Sequence, residues 1–358
     1  MLFAFGNRAS RKQDQVIAID LGFRTTKAVN IYCKGERYIF KNYTILDAPI
    51  YEKNLTADIL AEHLKSVVQK LETKSRRINL TINGNDSIIK LVDLPMMSVG
   101  DMRLMLKHSS KVYLQQDMPD YVFDCYILPP GKTTQRQQTD GEKKASIQKF
   151  RVVVGAAKQQ LVDEIQRGAK LAGLTIDNLV PEPICPINAL EFAVPDVFKD
   201  ESIAIIDIGF KVTSISILIQ GELVLNRIVN IGGDRFTSGL AEAMGISYAE
   251  AEGIKIGIPD EVQANLEPLI FSLGRELRAS IDYCEHQFDK TVSQIFISGG
   301  SSRSEFIIKC LQSELIAPCR VWNPATFMEL ALPPQQIGEV EQVAPQLVVA
   351  IGAAACSF

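Results

Sequence analysis

Apolar residues cluster in short runs through the first ninety positions. Residues 15–22, 25–33 and 36–43 predict a meander of three strands, with Lys34-Gly35 at one turn. The period then changes. Leu60, Leu64, Val67, Val68 and Leu71 fall on one face of a helix over 57–73, with Thr56 as its N-cap, and a short strand follows at 78–83. A strand over 87–94 ends at Leu94-Pro95, a helical stretch runs from Val99 to Tyr113, and strands follow near 121–128 and 148–155. Between these two strands, Pro129 to Lys149 is polar and aperiodic, which predicts a long mobile loop. Residues 158–172 predict a helix with Leu161, Val162, Ile165 and Leu171 inward, stopped by Gly173.

The second half opens on a strand over 203–208 and a hairpin through Gln220-Gly221. A helix over 236–244 ends at Gly245, and Ser247 with Glu250 forms a capping box for the next. The strongest helical period spans 262–288, from Val262 through Leu266, Leu273 and Leu277 to Phe288; Pro268 should bend this helix or mark its true start. A strand at 294–298, a helix at 304–315 and an apolar strand-to-helix stretch at 346–356 complete the pattern.

Within it, one short feature occurs twice. Val16-Ile17-Ala18-Ile19-Asp20-Leu21-Gly22 runs into Phe23-Arg24-Thr25-Thr26-Lys27, and Ile203-Ala204-Ile205-Ile206-Asp207-Ile208-Gly209 runs into Phe210-Lys211-Val212-Thr213. Each reads as a buried strand, a tight turn and a second strand. The glycine admits close backbone approach, the turn N–H groups can hold phosphate oxygens, and the aspartate can hold a hydrated cation. A single Asp-x-Gly after a strand is common and says little. Its recurrence about half a chain away argues for duplicated halves that clamp one nucleotide between them.

Length and charge narrow the classes. The 358 residues suit two domains or one bilobal fold. The 38 basic and 42 acidic residues leave a net charge of −4, which is no nucleic-acid signature. No run approaches the roughly 20 apolar residues that span a bilayer, and no signal peptide is visible, so a cytoplasmic location is expected. The seven cysteines show no Cys-x-x-Cys spacing, and His63, His108 and His286 are scattered, so neither a structural zinc nor a histidine-based triad is expected. At the N-terminus, apolar residues 1–5 precede Arg8, Arg11 and Lys12, which fits either a frayed tail or contact with an anionic membrane surface.

With both turns placed, the chain resembles the actin, sugar-kinase and heat-shock ATPase superfamily. Candidates for its five motifs stand in family order: a first phosphate loop from Asp20 to Lys27, a first connecting segment Val180-Pro181-Glu182-Pro183, a second phosphate loop from Asp207 to Thr213, an adenosine motif Ile297-Ser298-Gly299-Gly300-Ser301-Ser302-Arg303, and a second connecting segment Ala350 to Ala355. The block after residue 87 lies where the FtsA and PilM branch carries an extra subdomain. Asp93-Leu94-Pro95-Met96, Tyr121 to Tyr126, Lys170 to Leu174, Gly232 to Thr237 and Ala251 to Lys255 look most like the type IV pilus assembly PilM family, and the chain stops at Phe358 where FtsA usually continues to a membrane helix.

This resemblance implies an α/β, bilobal actin-like ATPase fold with two duplicated sheet-and-helix lobes and an inserted α+β subdomain. The expected division is 1–87 first lobe, 88–157 insertion, 158–201 first lobe again, 202–335 second lobe and 336–358 a return to the first. It also implies ATP and Mg²⁺ as ligands. Lys27 matches a phosphate-contacting lysine, and Gly22, Thr25, Thr26, Gly209 and Thr213 stand in the phosphate loops. Asp20 and Asp207 match aspartates that hold magnesium through water. Glu182 matches a carboxylate that organises metal and attacking water. Gly232 and Gly233 would bring backbone beside the phosphates. Glu252 and Lys255 match ribose and base contacts, or form an ordinary surface ion pair. Gly299, Gly300, Ser301 and Arg303 would meet the adenosine. Phe23, Arg24, Phe210 and Lys211 depart from the small residues usual there, crowding the terminal phosphate or adding charge to it, so binding with slow or no hydrolysis is expected.

The same resemblance implies an adaptor at the inner face of the cytoplasmic membrane. Its partner would be the N-terminal cytoplasmic peptide of a PilN-like bitopic inner-membrane protein, docked between insertion and first lobe, with self-association a further option. Met96, Met97, Met102 and Met105 suit a peptide groove or a core. The alternatives are a polymerising FtsA-like division protein and a small-molecule kinase; the latter needs an acidic base over the substrate hydroxyl, shows no sugar-kinase signature here, and does not suit the inserted subdomain.

Overall fold

The computed structural model describes residues 5–6, 14–49, 55–128, 149–257 and 260–358. After the two-residue β1 (Phe5–Gly6), the chain forms the expected meander of β2 (Gln15–Leu21), β3 (Thr25–Lys34) and β4 (Arg37–Asp47). Helix α1 (Ala57–Lys70) starts where the Thr56 hydroxyl accepts from the Ile59 amide, and β5 (Arg77–Ile82) follows. The next block is β6 (Ser87–Pro95), α2 (Val99–Leu114), β7 (Tyr121–Ile127) and β8 (Lys149–Lys158). Then come α3 (Gln159–Leu171), β9 (Thr175–Pro181), α4 (Cys185–Ala193) and α5 (Pro195–Asp200). The second half carries β10 (Ser202–Ile208), β11 (Thr213–Ile219), β12 (Glu222–Val229), α6 (Gly233–Met244), α7 (Tyr248–Gly257) and α8 (Asp260–Phe288). It ends with β13 (Gln294–Ser298), α9 (Glu305–Leu315), β14 (Cys319–Val321), β15 (Glu329–Leu330), α10 (Pro334–Val343) and α11 (Val348–Ala355).

The duplication is explicit in the topology. A seven-stranded sheet has the order β1-β9-β5-β2-β3-β4-β15, and a five-stranded sheet has β12-β11-β10-β13-β14. Setting β1 and β15 aside, the two orders are the same. Each has an antiparallel meander, and its first strand also pairs in parallel with a later one, β2 with β5 and β10 with β13.

Strand alternation sends successive residues to different cores. Ile17 and Ile19 face α1 and α3, packing on Leu60, Leu64 and Ile165. Val16 and Ala18 face the opposite way, into a cluster that also holds Ile187 and Leu190 of α4, Val349 and Ile351 of α11, and Ile203, Ile205 and Phe296 from the second sheet. The second sheet's other face packs on α6, α8 and α9 through Phe236, Leu273 and Leu311. Helices α4 and α11 therefore sit between the two sheets, beneath both turns.

The three-stranded sheet β6-β8-β7 packs Val152, Val154 and Ala156 on Met102 and Leu106 of α2. It does not stand apart. Val153 and Leu128 belong to the central cluster, Ala157 belongs to the cluster under α1, and Arg151 reaches Glu222 at 3.1 Å. Of the four methionines, Met102 is buried in this small core and Met97 and Met105 pack against it; Met96 is exposed.

Several expectations need correction. The stretch at 346–356 contains no strand: a short 3₁₀ turn leads directly into α11. Helix α8 starts eight residues before Pro268, so the proline does not mark its start. Strand β15 pairs in parallel with β4 of the first sheet, and Trp322, Ala325 and Met328 lie in the central cluster that both sheets share. Strand β9 and helices α4, α5 and α10 add to the sequence pattern. The expected loop at 129–149 lies outside the described residues except for Lys149, as does the N-terminal stretch except for Phe5 and Gly6, which pair with Leu179 and Asn178. Among the described residues, no helix is long and apolar enough to cross a membrane.

Candidate functional site

The two Asp-x-Gly turns face one cavity of about 380 Å³. The β2–β3 register places Asp20 opposite Lys27, and the Lys27 Nζ lies 3.0 Å from the Asp20 Oδ2. A Cβ on Gly22 would lie 2.6 Å from the Thr25 carbonyl oxygen and 2.7 Å from the Lys27 ammonium, so the turn closes only on glycine. In the second turn, the Gly209 amide donates to the Val212 carbonyl at 2.9 Å. Its carbonyl and that of Phe210 accept the Gly233 and Asp234 amides at 3.0 and 2.8 Å, which ties the start of α6 to the second turn beside the cavity.

The cavity is lined by Asp20, Gly22, Thr25, Lys27, Glu182, Asp207, Gly209, Gly233, Glu252, Lys255, Gly299, Gly300, Ser301 and Arg303, all expected at a ligand from the sequence. The bulky Phe23, Arg24, Phe210 and Lys211 line it too. Three expected residues do not. Thr26 is buried on the opposite face of β3 from its neighbour Thr25, with its hydroxyl 2.7 Å from the His63 Nε2. Thr213 is also buried and donates to the Ile231 carbonyl at 2.7 Å, tying the second turn to the segment before α6. Gly232 caps α6 one residue short of the cavity.

Other residues hold the site from behind. The Thr81 hydroxyl of β5 accepts the Leu21 amide at 3.1 Å and donates to the Asp20 Oδ1 at 3.3 Å. In the equivalent place on the second sheet, the Ser298 hydroxyl donates to the Asp207 Oδ1 at 2.7 Å. The Gly84 amide donates to the Glu182 Oε2 at 2.7 Å. Thr81 and Gly84 carry no sequence signal beyond their strand-end positions. The symmetry of the two sheets, which pairs β5 with β13, is what exposes Thr81 as a partner of Ser298.

Glu252 and Lys255 form an ion pair at 2.8 Å, with side chains only 16% and 13% exposed. The Lys255 ammonium also donates to the Thr237 hydroxyl at 2.7 Å and the Gly233 carbonyl at 3.1 Å, which uses all three of its protons. This is a packed network and not an ordinary surface pair. Burial works against the Glu252 charge, but Lys255, Thr237 and Arg24 outweigh it and hold the carboxyl below its usual range.

Charge is concentrated at the base of the cavity. Burial, together with the negative charges of Asp20 and Asp207, pushes the Glu182 carboxyl up to about 8, against the Gly84 hydrogen bond and Lys27. Burial raises Asp207 to about 6, opposed by Ser298 and Lys27. For Lys27, burial favours the neutral amine, but Asp20 and the neighbouring carboxylates raise its pKa overall. Among the described residues, no group of three or more His, Cys, Asp or Glu is arranged to hold a metal ion. Both Asp20 oxygens already have protein partners, which fits this carboxylate to a magnesium that keeps its water shell. The site can therefore receive a polyanion between two turns and a helix N-terminus, with a hydrated cation over two aspartates.

The model of the type IV pilus assembly protein PilM family matches residues 18–358. The chain belongs to that family. A solved PilM–PilN type IV pilus biogenesis complex is similar over 96% of this chain and 98% of that one, with a TM-score of 0.80 at 20% identity. MreB5 of Spiroplasma citri, solved with AMPPNP bound, covers 96% of this chain and 95% of its own, with a TM-score of 0.51 at 12% identity. These likenesses show the actin-like ATPase fold. In sequence, the cell division protein FtsA of Enterococcus faecalis is 26% identical over 149 residues, 40% of this chain. That match spans 33% of the FtsA chain.

Proposed function

We propose that this PilM-family chain is an ATP-binding adaptor of the type IV pilus inner-membrane assembly platform. It binds the N-terminal cytoplasmic peptide of a PilN-like membrane protein at the inner face of the cytoplasmic membrane. The observation that carries the nucleotide part is the single cavity between two topologically equivalent Asp-x-Gly turns, lined by Lys27, the α6 N-terminus and the Gly299-Gly300 backbone. MreB5, on the same fold, was solved with AMPPNP. Lys27 and the turn amides would hold the phosphates, and Asp20 and Asp207 would hold Mg²⁺ through water, where the ion neutralises phosphate charge.

Slow or absent hydrolysis follows from the same residues. Phe23 and Phe210 take up room beside the turns, and burial with the Asp20 and Asp207 charges raises the pKa of Glu182, the carboxylate that would orient water, which works against its acting as a base. The adaptor part rests on family membership and on the likeness to a PilM–PilN complex. Titration calorimetry with Mg·ATP tests the nucleotide site: Asp20→Ala and Lys27→Ala should each lower affinity at least about tenfold, the equivalent of one lost charge-assisted contact. Unchanged affinity in both would remove the assignment. The FtsA match supports a second reading, a polymerising protein. ATP-dependent sedimentation of the purified chain would favour it.

A further inference from the structure

Arg24 lies in the first turn and does not stay there. Its Nε reaches across the cleft to 3.8 Å from the Glu252 Oε1 on α7, and its guanidinium sits 5.6 Å above the centre of the Phe210 ring from the second turn. The pair is a charge contact beyond hydrogen-bond range, on a side chain 49% exposed. The three lysines that line the cavity are held at shorter range. Lys27 is on Asp20, Lys211 is on Asp234 at 2.7 Å, and Lys255 has used its three protons. The other Glu252 oxygen, Oε2, is occupied by Lys255, while Oε1 faces only Arg24. A phosphate chain lying between the two turns would pass beneath a guanidinium whose fork is still free for bidentate bonding, which a phosphate satisfies better than a carboxylate at 3.8 Å.

We propose that Arg24 is a hand-off residue that selects phosphate-bearing ligands. Glu252 and Phe210 hold it across the cleft; the phosphate chain of a nucleoside di- or triphosphate takes it over, and the Glu252 Oε1 is released to accept a hydroxyl from the sugar. This rests on the nucleotide reading of the cavity. It adds a contact from a residue that sits where the superfamily carries a small side chain.

The test compares ATP, ADP, tripolyphosphate and adenosine on the full chain and its Arg24→Ala, Arg24→Lys and Lys27→Ala variants. Calorimetry serves the anions, and displacement of a fluorescent ADP analogue serves adenosine. Arg24→Ala should weaken ATP, ADP and tripolyphosphate roughly tenfold, the loss of one charge-assisted bond. Adenosine should bind as well or better, because it no longer has to break the Arg24–Glu252 pair. Arg24→Lys should restore part of the anion affinity. A parallel loss for all four ligands would mean a structural role and overturn the proposal, as would unchanged anion affinity. If adenosine does not compete at all, tripolyphosphate alone decides, since it touches no sugar or base contact. A parent chain that binds none of the four would fail the nucleotide reading itself, whereas loss with Lys27→Ala but not Arg24→Ala would fail only the hand-off.

Discussion

Asp20, Glu182 and Asp207 line one cavity together with the Lys27 ammonium, which sits on Asp20 at 3.0 Å. Burial and the two aspartates hold the Glu182 carboxyl furthest from its usual range, up to about 8. The folded protein therefore keeps a proton on Glu182 where the unfolded chain, near 4.5, has lost it. Between those values the native state binds more protons, so stability falls as pH rises from about 4.5 through about 8. Asp207, held up to about 6, adds to the acid end of the same window. Glu182→Gln keeps an acceptor for the Gly84 amide without the charge. Its melting temperature should exceed the parent's above pH 8 and converge with it toward pH 5; parallel curves would mean that Glu182 is not proton-coupled to folding. Thr81→Val makes a second point. It removes the acceptor of the Leu21 amide and the donor to Asp20, and an unsatisfied buried amide costs about 1–3 kcal/mol, measurable by urea unfolding. An unchanged unfolding midpoint would show that water or a shifted side chain replaces the hydroxyl. The aspartates and glycines of this site were legible in the sequence because turn chemistry demands those residue types. Thr81 and Gly84 were not, because a hydroxyl or an amide that acts from behind a strand leaves no local pattern.

The same division holds for the elements. Strands with clean runs, such as β2 and β10, and helices with a one-sided stripe, such as α1 and α8, read directly from periodicity. Strand β9 did not, because Thr175-Ile176-Asp177-Asn178 has no alternating pattern; its extended form comes from parallel pairing with β5. Helix α10 buries only Val340 of its ten residues and so shows little stripe. Helix α11 was read in part as a strand, since Val348, Val349 and Ile351 suit either form and a helix buried on every side has no polar face. What selects the helix is the close crossing with α4. A Cβ on Gly352 would lie 1.8 Å from the Cys185 carbonyl oxygen, so the two helices meet backbone to backbone. Gly352→Ala must push them apart inside the central core, at a cost of about 1–3 kcal/mol or more from overpacking. Denaturant unfolding should show this as a lower midpoint. A midpoint equal to the parent's would mean that the crossing is loose, and that α4 and α11 do not fix the two sheets to each other.

Two sheets of equivalent order, joined by α4 and α11 and sharing one core, make a frame whose halves both reach the cleft; the three-stranded sheet is wedged against that frame through Val153, Leu128 and Ala157. Excision of 88–155 would strip apolar residues from the central core, so it cannot separate partner binding from nucleotide binding cleanly. The edges of the small sheet offer a better test. Strand β6 leans toward β12 of the second sheet, while among the described residues β7 forms the opposite edge of the β6-β8-β7 order, and an edge strand is a template for an added one. An extended N-terminal peptide from a PilN-like partner can join β7 through backbone hydrogen bonds and place alternate side chains on the sheet. Hydrogen–deuterium exchange on the intact chain should then show new protection, when the peptide is added, at those amides of Tyr121–Ile127 that do not already pair with β8. The central strand β8, already paired on both sides, should change little. Two controls sharpen the reading: a scrambled peptide should give no protection, and Lys27→Ala should bind the peptide without loss, because its side chain faces the cleft and not the small sheet. Protection confined to β10–β14, with β7 unchanged, would move the docking site to the second half of the molecule and leave the adaptor reading without a surface on the small sheet.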